Sequence, residues 1–134
     1  MIAAQPLPQR AAESPTARYL AHLAAGELAY QWSPAAQRAV FYPRLLCPFT
    51  GSANLEWRIA SGHGTVYSAT VVHRRGEAPH SVVLVDCDEG FRLMSSVIDA
   101  APDAAAIGQR VMLVIAPIEP GGVPLPLFRL APTG

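Results

Sequence analysis

The chain has 134 residues, which suits one compact domain with a small appended module and suffices for a stable core without disulfide or metal staples. Ten basic residues balance ten acidic ones, so the net charge is zero and the electrostatic footprint of a nucleic-acid binder is missing. Only 15% of residues are charged against 51% hydrophobic, and a domain this small has little interior to absorb the excess, so some apolar surface is expected to lie against a partner.

Residues 1–13 read as a flexible tail, rich in Ala, Pro and Gln. They lack the charged-then-apolar order of a secretory leader, and no apolar run in the chain approaches the ~18 residues that span a membrane. Cys47 and Cys87 do not form a disulfide framework, so the cytoplasm is the expected compartment. A helical arm is predicted over 14–27. Ser14 can cap it, Pro15 suits its first turn, and Gly26 ends it. Tyr19, Leu20, Leu23 and Ala24 fall at helical spacing as one apolar stripe. So short a helix is marginal in water, so its stripe needs cover from the rest of the chain or from another subunit.

Residues 28–60 read as short strands and turns punctuated by Pro34, Pro43 and Pro48. The run Cys47-Pro48-Phe49-Thr50-Gly51-Ser52 has the form of half a zinc knuckle. A structural zinc site needs two thiolate pairs, each separated by two residues. Here Thr50 stands in the second position of one pair, and Ser33 and Ala36 stand where the other pair would fall. One thiolate cannot close the tetrahedron, so a metal-free module is expected. Trp32, Phe41, Tyr42 and Phe49 are expected to bury their rings in place of the metal, at about 2–3 kcal/mol each.

From Gly62 onward the texture is β. Strands are predicted over 64–72, 81–86, 91–97, 110–115 and 124–130, with turn signals at Arg75-Gly76, Asp88-Glu89-Gly90 and Glu119-Pro120-Gly121-Gly122. One helical turn is predicted over 102–107. Five strands with a short helical insert after the third match a Greek-key OB barrel over 61–134. The fold class is therefore mainly β: a helical arm, a small metal-free zinc-ribbon-like module, and a five-stranded OB barrel.

The run Gly62-His63-Gly64-Thr65-Val66-Tyr67-Ser68-Ala69-Thr70, together with Ile107-Gly108-Gln109-Arg110-Val111 and Pro126-Leu127-Phe128-Arg129, resembles the OB-fold, acyl-CoA-associated family (domain of unknown function thirty-five). The resemblance covers about residues 14 to 130 and implies a helical arm, a rubredoxin-like ribbon and an OB barrel. It also implies an accessory protein beside a thiolase-superfamily, hydratase or aldolase enzyme, helping to complete its CoA site. Ser33, Ala36 and Thr50 depart from the family's zinc ligands.

Gly62-x-Gly64 is too short for a dinucleotide fingerprint; it either turns the chain sharply or lets a pantetheine chain approach the backbone. Ser68 and Thr70 alternate with Tyr67 and so share a strand face, where hydroxyls serve the ladder or a ligand. No Gly-flanked elbow marks a serine nucleophile. His22, His63, His73 and His80 lack metal-ligand spacing, and His73, beside Arg74 and Arg75, is the one with a functional reading. The two Arg side chains suit CoA phosphates, although an exposed hairpin tip is the simpler explanation. Asp86, Asp88 and Glu89 read as a solvated acidic turn. Either Cys47 or Cys87 would be reactive only with a lowered pKa.

The expected function is thus a non-catalytic acyl-CoA-associated accessory protein with a candidate CoA surface at Gly62, Gly64, Tyr67, Ser68, Thr70, His73, Arg74 and Arg75. No catalytic residue, tightly bound cofactor, nucleic acid or membrane is expected, and a homodimer remains open for the isolated chain. The partner would dock on Tyr19, Leu20 and Leu23 or on an apolar barrel face. The alternative is an OB module for single-stranded nucleic acid, which the neutral charge and the few barrel aromatics (Tyr67, Phe91 and Phe128) disfavour. Elemental analysis of the purified chain should find no stoichiometric zinc, and chelators should leave its thermal stability unchanged. One zinc per chain would contradict this ligand reading.

Overall fold

The computed structural model describes residues 14–117 and 120–132, so the tail expected over 1–13 and Glu119 of the last turn signal lie outside the described residues. The chain divides into two compact units, Met1–Ile59 and Ala60–Gly134. Among the described residues no helix is long and apolar enough to cross a membrane.

In the first unit, helix α1 (Pro15–Ala24) starts where its capping chemistry dictates. Ser14 is extended, and its Oγ accepts from Ala17 N at 3.1 Å. Gly26, at φ +85°, ends it. Leu23 is buried and Tyr19 packs edge-on against Phe41, with ring centroids 5.6 Å apart. Leu20 and Ala24 are exposed, so the buried stripe is narrower than the spacing suggested, because a ten-residue helix rests on its sheet through little more than one side chain per turn. Leu23 is consequently a core residue, not part of a docking face.

Strands β1 (Ala29–Ser33), β2 (Arg38–Val40) and β3 (Glu56–Ile59) form an antiparallel sheet with β1 in the middle. The core consists of Leu23, Leu28, Ala29, Tyr30, Ala39, Val40 and Cys47, with Gln31 and Ser33 buried among them. The expected aromatic core is overturned. Trp32 and Phe41 are only half-buried, and Tyr42 and Phe49 are about half exposed. Strands of three to five residues enclose too little volume for four rings, so small aliphatic side chains fill it. The rings at its rim carry arginines instead. Arg58 lies 4.4 Å from the Trp32 centroid, Arg38 3.9 Å from Phe49, and Arg18 5.3 Å from Trp57, all within cation–π range.

The second unit is a sheet of β4 (His63–Val72), β5 (His80–Cys87), β6 (Arg92–Ser95), β7 (Arg110–Ala116) and β8 (Leu125–Leu130), in the order β6-β5-β4-β7-β8. The chain beyond β6 returns parallel to β8 through a Val97–Phe128 bridge, with Phe128 N donating to Ser96 O at 3.0 Å and Ile98 N to Phe128 O at 2.8 Å. This closes the barrel with OB-fold connectivity. Val66, Val83, Val85, Leu93, Val97, Val111, Leu127 and Phe128 fill it. The helical turn expected over 102–107 is absent. Two hydrogen-bonded turns occupy the segment, Ala104 N to Ala101 O at 2.9 Å and Gln109 N to Ala106 O at 3.1 Å. The six residues 102–107 are too few to offset helix nucleation.

At Gly64 the packing of β4 against β5 leaves no room for a side chain. A Cβ there would fall 2.6 Å from Val85 Cγ1 and 2.9 Å from Asp86 O. Gly64→Ala should therefore lower unfolding free energy by about 1–3 kcal/mol in denaturant titration. A loss below about 0.5 kcal/mol would show that the strands relax freely.

Candidate functional site

Strand β4 carries most of the residues singled out from the sequence, and a bulge decides how they point. Val66 pairs with Val85 and Ser68 with Leu84, which leaves Tyr67 as the extra residue. Opposed residues share a face, so Gly64, Val66, Ala69 and Val71 line up with the buried Cys87, Val85, Val83 and Ser81. Ser68 and Thr70 share the outward face. Tyr67 is half exposed, and Arg92 lies 3.4 Å from its ring centroid while its Nε donates to Asp86 Oδ1 at 2.6 Å.

Gly62 and Gly64 have a structural reason. Gly62 is left-handed at φ +91°, with Leu113 Cβ 3.1 Å from its missing Cβ, and its carbonyl accepts from Leu113 N at 2.8 Å. Arg74 and Arg75 lie beyond the far end of β4, about 30 Å of strand from Gly64. The two groups are thus not one cluster. Both Arg side chains are exposed at the β4–β5 hairpin, with no ion pair among the described residues.

The same hairpin borders a groove that the sequence did not reveal. A cavity of about 490 Å³ is lined by residues including Glu77, Pro79, His80, Ser81, Val97 and Leu127. It adjoins one of about 280 Å³ that reaches Met94, Leu125 and Pro126, and one of about 310 Å³ lined by Val71, His73, Pro79, Pro102 and Asp103. Its floor is fixed by Ser81, whose buried Oγ accepts from Val97 N at 2.9 Å and donates to Val97 O at 3.2 Å. The face of the second and third strands, with the hairpin between the first and second, is where OB folds generally bind ligands. Of its lining, His73 alone had a functional reading in the sequence; the remainder depends on barrel closure.

The acidic turn after β5 is held by ion pairs. Asp88 takes both Arg110 nitrogens, at 2.7 and 2.8 Å, and this bond holds its carboxyl below the usual range. Glu89 Oε2 accepts from Ser61 N at 2.9 Å, while its buried Oε1 has no hydrogen-bond partner among the described residues. Burial, reinforced by Glu89, Asp88 and Asp86, pushes the Cys87 thiol up to about 12, which makes it inert.

Cys47 is the opposite case. Its turn and the turn at Ser33 repeat one another. Ser33 Oγ accepts from Ala36 N at 3.2 Å, and Cys47 Sγ accepts from Phe49 N at 3.4 Å. Ser33 O accepts from Gln37 N at 2.7 Å and Cys47 O from Gly51 N at 2.8 Å, with Gln37 and Gly51 both left-handed. Burial raises the Cys47 pKa, but hydrogen bonds from the Ser33 and Thr50 hydroxyls and from the Phe49 and Thr50 amides outweigh it and bring the thiol to about 7. One sulfur, two hydroxyls and the Ala36 methyl do not fit zinc, which takes nitrogen and sulfur ligands.

A family profile described as ChsH2, C-terminal OB-fold domain, matches residues 57–116. A DUF35 domain-containing scaffold protein of Methanothermobacter thermautotrophicus is 32% identical over 90 residues, which cover 62% of this chain and 68% of that protein. A probable enoyl-CoA hydratase alpha subunit of Thermomonospora curvata is 38% identical over 93 residues, 66% of this chain; the match spans only 29% of that subunit. The solved Ltp2-ChsH2(DUF35) aldolase contains a chain that superposes with a TM-score of 0.74 at 32% identity, covering 87% of this chain and 94% of that one.

The native pKa of Cys47 lies below its ordinary value of 9.0, so its contribution to stability is fully present above pH 9 and is lost as pH falls through about 7. Cys87, raised to about 12, acts in the opposite sense above pH 9. Ultraviolet titration should find one thiolate forming near pH 7. Cys47→Ser should abolish that transition and Ser33→Ala should move it upward. If no thiolate forms below pH 9, the polar environment of Cys47 is wrong.

Proposed function

The chain belongs to the DUF35 family of OB-fold proteins, and on that premise we propose that it is a non-catalytic accessory subunit of an acyl-CoA enzyme. The observation that carries this reading is the 32% identity over nearly the whole length of the chain in the Ltp2-ChsH2(DUF35) aldolase, joined by relatives named as a scaffold protein and a hydratase subunit. The chemistry of the described residues supports it. The thiol of lowered pKa, Cys47, is buried among hydroxyls and amides rather than beside an imidazole base, so it lacks the partner that activates a nucleophile.

The partner is an enzyme of the thiolase superfamily, a hydratase or an aldolase acting on CoA thioesters. The barrel groove accepts part of that substrate, its apolar end at Met94, Leu125 and Leu127 facing the acyl or pantetheine chain. Arg74 and Arg75, in the hairpin that borders the groove, reach the phosphates. His73 lines the adjoining cavity, whereas Ser68, Thr70 and Tyr67 do not line the groove, and Gly62 and Gly64 serve the barrel. A nucleic-acid reading is weaker. The charged side chains lining the groove are Glu77 and Asp103, which repel a phosphate backbone.

The test is purification of the tagged chain from its own cells, followed by CoA binding to the complex. An acyl-CoA enzyme should co-purify, and the isolated chain should not turn over acyl-CoA. Arg74→Glu with Arg75→Glu should weaken CoA binding to the complex about tenfold or more while thermal unfolding stays unchanged. Thioesterase activity from the chain alone, or salt-sensitive submicromolar binding to single-stranded DNA, would contradict the accessory reading.

A further inference from the structure

The segment between β2 and the Cys47 turn is a rigid loop with its apolar side chains turned outward. Leu45 is 75% exposed, Leu46 54%, Tyr42 52% and Phe49 51%. Four large apolar side chains within eight residues would ordinarily collapse inward, and here the backbone prevents it. Gln31, itself only 3% exposed, clamps the Arg44 peptide from both sides: its Nε2 donates to Arg44 O at 2.8 Å and its Oε1 accepts from Arg44 N at 2.7 Å. Three residues later the chain is pinned again by the buried Cys47 side chain, by Cys47 N donating to Ser52 O at 2.8 Å, and by Gly51 N donating to Cys47 O. Leu45 and Leu46 lie between two fixed points and are held in solvent.

We infer that this loop, Tyr42–Phe49, is the surface by which the chain docks on its enzyme partner, a protein face with an apolar depression rimmed by carboxylates. The identification of that partner as an acyl-CoA enzyme rests on the reading of the preceding subsection. Preorganised apolar side chains lose little conformational entropy on being covered, which is how a small loop supplies binding energy. The choice of occupant follows from charge. Between Glu27 and Glu56 the chain has no acidic residue, and its charges are Arg38 and Arg44, with Arg38 stacked on Phe49. A second copy of the chain would set these guanidiniums against their own kind across a twofold contact, whereas carboxylates on a different protein complement them.

Three forms of the full chain decide the matter: wild type, Leu45→Asp/Leu46→Asp, and Arg44→Glu, with Ile107→Asp, at a 74% exposed residue of the second unit, as the control. All four should unfold at the same temperature. With the acyl-CoA enzyme that co-purifies with the wild type, the double variant should bind at least about 30-fold more weakly. Arg44→Glu should bind several-fold more weakly and lose part of the salt dependence, and Ile107→Asp should match the wild type. If the enzyme binds the double variant as tightly as the wild type, the docking inference fails while the accessory reading stands. If no acyl-CoA enzyme co-purifies, both fail. Wild-type binding to phosphatidylglycerol vesicles, or a wild-type homodimer, either one abolished by Leu45→Asp/Leu46→Asp, would reassign the loop to a membrane surface or to self-association and overturn the inference.

Discussion

The Val97–Phe128 bridge is the contact on which the second unit depends. The ordered strands β6-β5-β4-β7-β8 would otherwise be an open sheet with two unsatisfied edges. By running parallel to β8 for a few residues, the chain after β6 joins those edges, buries Phe128 completely, and brings Ser96 and Val97 over Ser81. Ser81 then has to be polar. Its hydroxyl meets the Val97 amide and carbonyl where a Val or Ala would leave both to find other partners. Because the closure is made by a short irregular segment rather than a full strand, space remains beside it, and that space is the groove lined by Pro79, His80, Ser81, Val97 and Leu127. Barrel closure and groove therefore have one physical origin.

The first unit solves a different problem. A three-stranded sheet of short strands with a ten-residue helix has little apolar volume, and its two proline turns do not present ligands suited to zinc. It is held by main-chain economy: the capping of each turn by Ser33 and Cys47, and the Gln31 clamp on Arg44. Arginines sit over the rim aromatics, covering ring faces while keeping their charge in water. The same devices that replace a large core leave Leu45 and Leu46 outside it.

Much of this was legible in the sequence, for identifiable reasons. The barrel strands begin and end close to the expected positions because Gly and Pro turns bound them, and the Ser14-Pro15 cap places the helix start. What was illegible needs three-dimensional neighbours. The Tyr67 bulge switches the inward set of β4 from even to odd positions, and no local signal announces it. The aromatics at 32, 41, 42 and 49 have the composition of a core, but the sheet around them is too small to enclose them. The groove is assembled from the β4–β5 hairpin, the chain after β6 and β8, which lie far apart in sequence. The depressed pKa of Cys47 arises from the hydroxyls that stand where thiolates were sought.

Two surfaces stand out among the described residues: an arginine-bearing hairpin beside a groove, and an outward apolar loop pinned at both ends. If the chain completes another enzyme's substrate site, its presence must change how that enzyme handles substrate. The most direct measurement is steady-state kinetics of the co-purified acyl-CoA enzyme with and without one equivalent of this chain. The account predicts that adding the chain raises kcat/KM for the CoA thioester by about tenfold or more, with a lower KM contributing to the gain. Identical kcat and KM in its presence and absence, under conditions where the complex is fully formed, would contradict it.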